Sequence, residues 1–101
     1  MITAYVSIGN SDDKLTQREW ALYWHAVNDE LEWAAERTHG SWLSCPAEPF
    51  QNACWCVEVD EDNVEDLKHD LAILAARYKQ DTIAFAVATT EFIQAATEET
   101  A

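Results

Sequence analysis

Three cysteines, three histidines and a surplus of carboxylates are the side chains of this chain with chemistry to offer. Cys54 and Cys56 stand two apart in the run Ala53-Cys54-Trp55-Cys56-Val57. On an extended strand both sulfurs point to one face, and Cys45 would lie across a hairpin from one of them. Three thiolates with a histidine as fourth ligand form a set that zinc accepts. A single Cys-x-Cys, however, lacks the paired Cys-x-x-Cys spacing of zinc sites, and free cysteine commonly serves as a small hydrophobic residue. The thiols are read as structural and no metal is assigned.

His25 and His39 fall on a first helix and at its end, and His69 on a second. A histidine near a helix C-terminus interacts favourably with the dipole when protonated, which accounts for His39 without catalysis. A cysteine nucleophile needs a histidine within hydrogen-bond reach. The helices are expected to cover the sheet face opposite Cys54 and Cys56, so no catalytic residue is assigned. Asp60-Glu61-Asp62 lacks the spaced oxygens and the glycine of an EF-hand loop, and Asp12-Asp13 follows no ligand pattern. Gly9 is alone near the end of the first strand and no Gly-x-x-x-x-Gly-Lys run exists, so no phosphate cradle and no cofactor are expected. What remains is Glu58, Asp60, Glu61, Asp62, Glu65, Asp66 and Asp70, offset only by Lys68. Such a run is either a solvated helix face or a docking surface for a basic partner.

The whole chain shares that bias, with 19 Asp and Glu against 6 Lys and Arg and a formal net charge of −13. Phosphate backbones and anionic membranes are held through Lys and Arg, so direct nucleic-acid binding and membrane-surface binding are not expected. A basic protein or a cation would be attracted, and acidity by itself also keeps a domain soluble. The start Met1-Ile2-Thr3-Ala4 lacks the basic and apolar regions of a signal peptide, and no apolar run approaches a membrane span. Three cysteines do not make a disulfide framework, so reduced thiols in a cytoplasm are expected.

A length of 101 residues, 49% of them apolar, supplies one core. Ile2, Ala4, Val6 and Ile8 alternate with Thr3, Tyr5 and Ser7 at the period of a strand, and Gly9 to Asp13 supply a turn. Thr16-Gln17-Arg18-Glu19 has the form of a capping box. It opens a helix whose apolar stripe is Trp20, Trp24, Val27, Leu31 and Ala34 or Ala35, with Gly40 as its C-terminal cap. Ser41 to Cys45 reads as a short strand, and Pro46 to Pro49 as a loop that cannot continue it. Asn52 to Val59 resumes the alternation, with Ala53, Trp55, Val57 and Val59 on one face and Cys54, Cys56 and Glu58 on the other. Asp62 and Glu65 suggest a second capping box before a helix from about Val64, striped by Val64, Leu67, Leu71, Leu74 and Tyr78. Thr82 to Ala88 gives a fourth strand, with Ile83, Phe85 and Val87 facing away from its alanines.

The order β-α-β-β-α-β predicts an α+β domain of the ferredoxin-like plan, an antiparallel four-stranded sheet with both helices on one face. Residues 1–93 form this domain and 94–101 an acidic C-terminal tail. The opposite face is left uncovered, populated by Tyr5, Cys54, Cys56, Trp42 or Leu43, and Ala84, Ala86 and Ala88. Tyr5 and Trp42 are candidate contacts there, and pairing of two copies over this face is expected. The sheet aromatics have neither the basic flanks nor the motif of an RNA-binding module. Of the five tryptophans, Trp20, Trp24 and Trp55 are expected in the core, and Trp33 and Trp42 are open in their placement.

Tyr5 to Leu15, Gln51 to Trp55 and Tyr78 to Ala84 resemble small uncharacterised proteins encoded by bacteriophages of actinobacteria. The resemblance implies no catalytic residues. It implies a host-takeover or anti-defence inhibitor that binds a host protein in the host cytoplasm. Three readings follow: a non-enzymatic acidic protein-binding module; a small dimeric ferredoxin-like enzyme or ligand-binding domain; and a metal or redox role for Cys45, Cys54 and Cys56.

Overall fold

A computed structural model of the chain describes residues 1–10 and 12–98. Ser11 of the predicted turn and residues 99–101 of the predicted tail lie outside them. Among the described residues the elements are β1 (Ile2–Gly9), α1 (Gln17–Ala34), β2 (Arg37–Leu43), β3 (Asn52–Val59), a single 3-10 turn (Glu61–Asn63), α2 (Val64–Arg77) and β4 (Ala84–Ala88). The strands form one antiparallel sheet in the order β2-β3-β1-β4. Beyond β4 the described residues carry no helix or strand.

Alternation decides which side of the sheet is sealed. Ala4, Val6 and Ile8 of β1 stand opposite Val57, Trp55 and Ala53 of β3, and all six are buried. They meet Trp20, Tyr23, Val27 and Leu31 of α1 and Leu67, Leu71 and Leu74 of α2 in one cluster, so both helices cover the same face. Trp55 lies fully inside, its indole Nε1 donating to Asn28 Oδ1 at 3.0 Å and its ring 5.6 Å from that of Trp24. Tyr23, which the apolar spacing did not single out, is also fully buried and stacks on Tyr78 at 5.0 Å. Its hydroxyl has no hydrogen-bond partner among the described residues. Burial pushes that hydroxyl up to about 12.

The first capping box forms as expected, with Thr16 Oγ1 accepting from Glu19 N–H and Glu19 Oε1 from Thr16 N–H, both at 3.1 Å. α1 ends earlier than Gly40, however: Ala35 is its cap, in an extended conformation. From Glu36 the chain is captured by β3, Glu36 N–H donating to Glu58 O at 2.9 Å. Arg37-Thr38-His39-Gly40 contains poor helix formers, and a paired neighbour satisfies its amides better than another helical turn would. β2 therefore starts before Ser41 and contains His39 and Gly40, with a bulge between Thr38 and Gly40. Gly40 has no positive φ, and the ring of Trp42 lies 3.4 Å from where a Cβ would stand.

The second capping box is replaced. Asp60, not Asp62, supplies the carboxylate, accepting from Asp62 N–H at 2.9 Å to start the 3-10 turn, and Asn63 caps α2 without a side-chain bond. Lys79 leaves α2 at φ 61°, and Gln80 N–H closes back on Ala75 O at 2.8 Å. At the other end of the sheet Asn10 is buried and ties the β1–α1 loop shut. Its Nδ2 donates to Leu15 O and its Oδ1 accepts from Leu15 N–H, both at 3.0 Å.

Candidate functional site

The uncovered sheet face is built from the other half of the alternation. Tyr5 stands opposite Cys56 and Ala86, Ser7 opposite Cys54 and Ala84, and Trp42 opposite Cys54 from the far side. Tyr5 is 40% exposed and Trp42 55%. Leu43, the alternative to Trp42 in the sequence pattern, pairs with Ala53 and belongs to the helix-bearing face. The neighbouring Cys56 thiol raises the Tyr5 hydroxyl above its ordinary value.

Cys45 does not stand across from Cys54 or Cys56. The hairpin pairing ends at Leu43 opposite Ala53, and Cys45 is exposed in the loop beyond it. His39 is not at a helix end behind the sheet, because the early end of α1 places it in β2. Its Nε2 meets Glu58 Oε1 at 3.0 Å at the margin of the open face. No group of three His, Cys, Asp or Glu side chains among the described residues is arranged to hold a metal ion.

The seven carboxylates that sequence grouped together divide into separate environments. Glu58 lies in β3 beside His39, and its Cα pairs with Arg37. Asp60 is engaged at the 3-10 turn that also carries Glu61 and Asp62, and Glu65 meets Lys68 Nζ at 3.5 Å. Asp66 and Asp70 turn instead toward α1, where with Glu30 and Trp33 they line a groove of about 330 Å³ between the helices. Glu30, half-buried there, is pushed above its ordinary value by desolvation and by the neighbouring Asp70 carboxyl. None of these three carboxylates joins an ion pair among the described residues. Trp33 stands over them 88% exposed.

Glu30 was missed by sequence reasoning because the packing of α1 on α2, not any spacing, brings it to Asp70. The one signal was Trp33, three residues on and off the apolar stripe. Among the described residues no helix is long and apolar enough to cross a membrane. No protein-family model matches the chain, and no curated protein matches it.

Proposed function

We propose that the chain is a non-enzymatic protein-binding module of the ferredoxin-like plan, working in a host cytoplasm as a phage-encoded host-takeover or anti-defence inhibitor. It docks on a basic protein through the acidic flank formed by α1 and α2. The plan is supported by the strand order, in which β3 lies between β1 and β2, and β1 between β3 and β4. The binding reading is carried by the groove: three carboxylates that join no ion pair among the described residues, beside an exposed indole. Carboxylates held close together favour a cation that neutralises them, and an indole face adds attraction for a Lys or Arg head. Asp60, Glu61, Asp62 and Glu65 extend the field toward the start of α2, while Glu58, Tyr5 and Trp42 belong to the open sheet face.

The test is capture from an actinobacterial host lysate by the wild-type chain and by a Glu30→Gln, Asp66→Asn, Asp70→Asn, Trp33→Ala variant. The expected result is a stoichiometric basic partner that the variant loses, and whose affinity for the wild type falls steeply between 0.1 and 0.5 M salt as screening shortens the reach of the charges. Equal capture by both chains with no salt dependence refutes the reading.

A further inference from the structure

The two edges of the sheet are defended unequally. β2 carries Arg37, His39 and a bulge, devices that keep an edge from adding a strand from another chain. β4 is Ala84-Phe85-Ala86-Val87-Ala88, paired on one side with β1 and on the other with nothing among the described residues. It has no charge, proline or bulge, and the uncharged run extends from Thr82 to Thr90 in a chain of net charge −13. Val87 is 58% exposed, although its pairing with Ala4 puts it on the helix-bearing face, where Phe85 is packed against the core.

We propose that β4 is the contact between two copies of this chain, which pair antiparallel about a twofold axis at Ala86 and continue the sheet from four strands to eight. In that register Ala84 lies opposite Ala88 of the second copy, and Phe85 opposite Val87. Each exposed valine is then covered by a phenylalanine ring on the helix side, and the alanines meet on the open side with nothing to clash. Charge selects a second copy as the occupant: two strongly acidic chains approach with least repulsion along their uncharged strip, and a basic protein gains nothing there. The pairing does not depend on the docking described above, which salt weakens. Here salt screens the repulsion between like chains, so self-association tightens as the Debye length contracts from about 10 Å at 0.1 M to about 3 Å at 1 M.

Sedimentation equilibrium of the full chain at 0.1 and 1 M sodium chloride tests this. A monomer–dimer equilibrium is expected, tighter at high salt. Val87→Lys should weaken it about tenfold or more, because the ammonium would be buried at the contact. That change lowers the net negative charge, so added repulsion cannot explain the loss. Tyr5→Ser and Trp42→Ser should leave the dimer unchanged. In the wild type, amide exchange in β4 should slow as concentration rises while α1 stays constant, a readout that needs no variant to fold. A monomer at every concentration in 1 M salt overturns the proposal, as does a dimer that Val87→Lys leaves intact and Trp42→Ser dissolves.

Discussion

β1 and β3 present two faces made from the same strands, and the faces differ in everything but backbone. On one, Val6 and Trp55 are sealed under two helices; on the other, one residue along, Tyr5 and Cys56 lie with no helix above them. The lesson is that a strand's alternation states which residues share a side, while the cover decides whether a side stores stability or offers contact. Side chains under the helices should be costly to change, and the exposed ones on the bare side, Tyr5 and Trp42, cheap.

The largest expected effect is in the sealed half. Leu31→Ala and Leu71→Ala should each lower the unfolding free energy by ~2 to 5 kcal/mol, since both are buried in the common cluster and truncation leaves a cavity. Trp42→Ser should change it by less than about 0.5 kcal/mol, as surface substitutions do. Urea titration of the three variants checks the contrast, and a Trp42→Ser loss as large as that of Leu31→Ala would break it.

Next comes Asn10, a polar residue sealed like a core residue. Asn10→Ala leaves both the amide and the carbonyl of Leu15 without these partners, a loss of about 1 to 3 kcal/mol by urea titration. Tyr23 sharpens the comparison from the opposite direction, because its hydroxyl is sealed with no hydrogen-bond partner among the described residues. Tyr23→Phe should be neutral or stabilising by up to about 1 kcal/mol. Its pH signature has a definite sign: the folded chain holds this proton more tightly than the unfolded one, so wild-type stability is full below pH 10.0 and falls as pH rises toward about 12. The Phe variant should lose less over that window in urea midpoints measured at pH 9 and 11.

The smallest effect belongs to Glu30. Its raised carboxyl means that the folded state favours the protonated form, so this group's contribution is greatest in acid and is lost as pH rises through the carboxylate range. Glu30→Gln should therefore stabilise at pH 7 by ~0.2 to 0.5 kcal/mol, the scale of a solvent-screened like-charge pair, and the gain should vanish near pH 4. A loss of stability at pH 7 would mean that the carboxylate is already satisfied.

Sequence revealed the strands whose two faces differ and hid the one whose faces do not. The alternation gives β3 its observed bounds and β1 to within one residue, because Ala4, Val6 and Ile8 in β1 and Ala53, Trp55, Val57 and Val59 in β3 are buried at every second position. β2 is exposed along nearly its whole length, so it carries no alternation, and its first half was assigned to the preceding helix. Tyr23 escaped because a stripe through Trp20 and Trp24 already accounted for that turn of α1. The acidic run was visible as a run, but its division between an ion-paired part and the part facing α1 depends on how two helices meet.

The five indoles also make the chain its own optical reporter. Trp24 and Trp55 lie 5.6 Å apart with their planes inclined by 35°, close enough for their transitions to couple and give a paired near-ultraviolet dichroism band that vanishes when the core loosens. Trp33 stands among carboxylates and Trp42 beside the uncharged Ser7, Ser44, Asn52 and Cys54, so caesium should quench the emission of the first preferentially and iodide that of the second. Occupation of the helical flank would then be seen as loss of caesium quenching alone, with no label attached to either molecule.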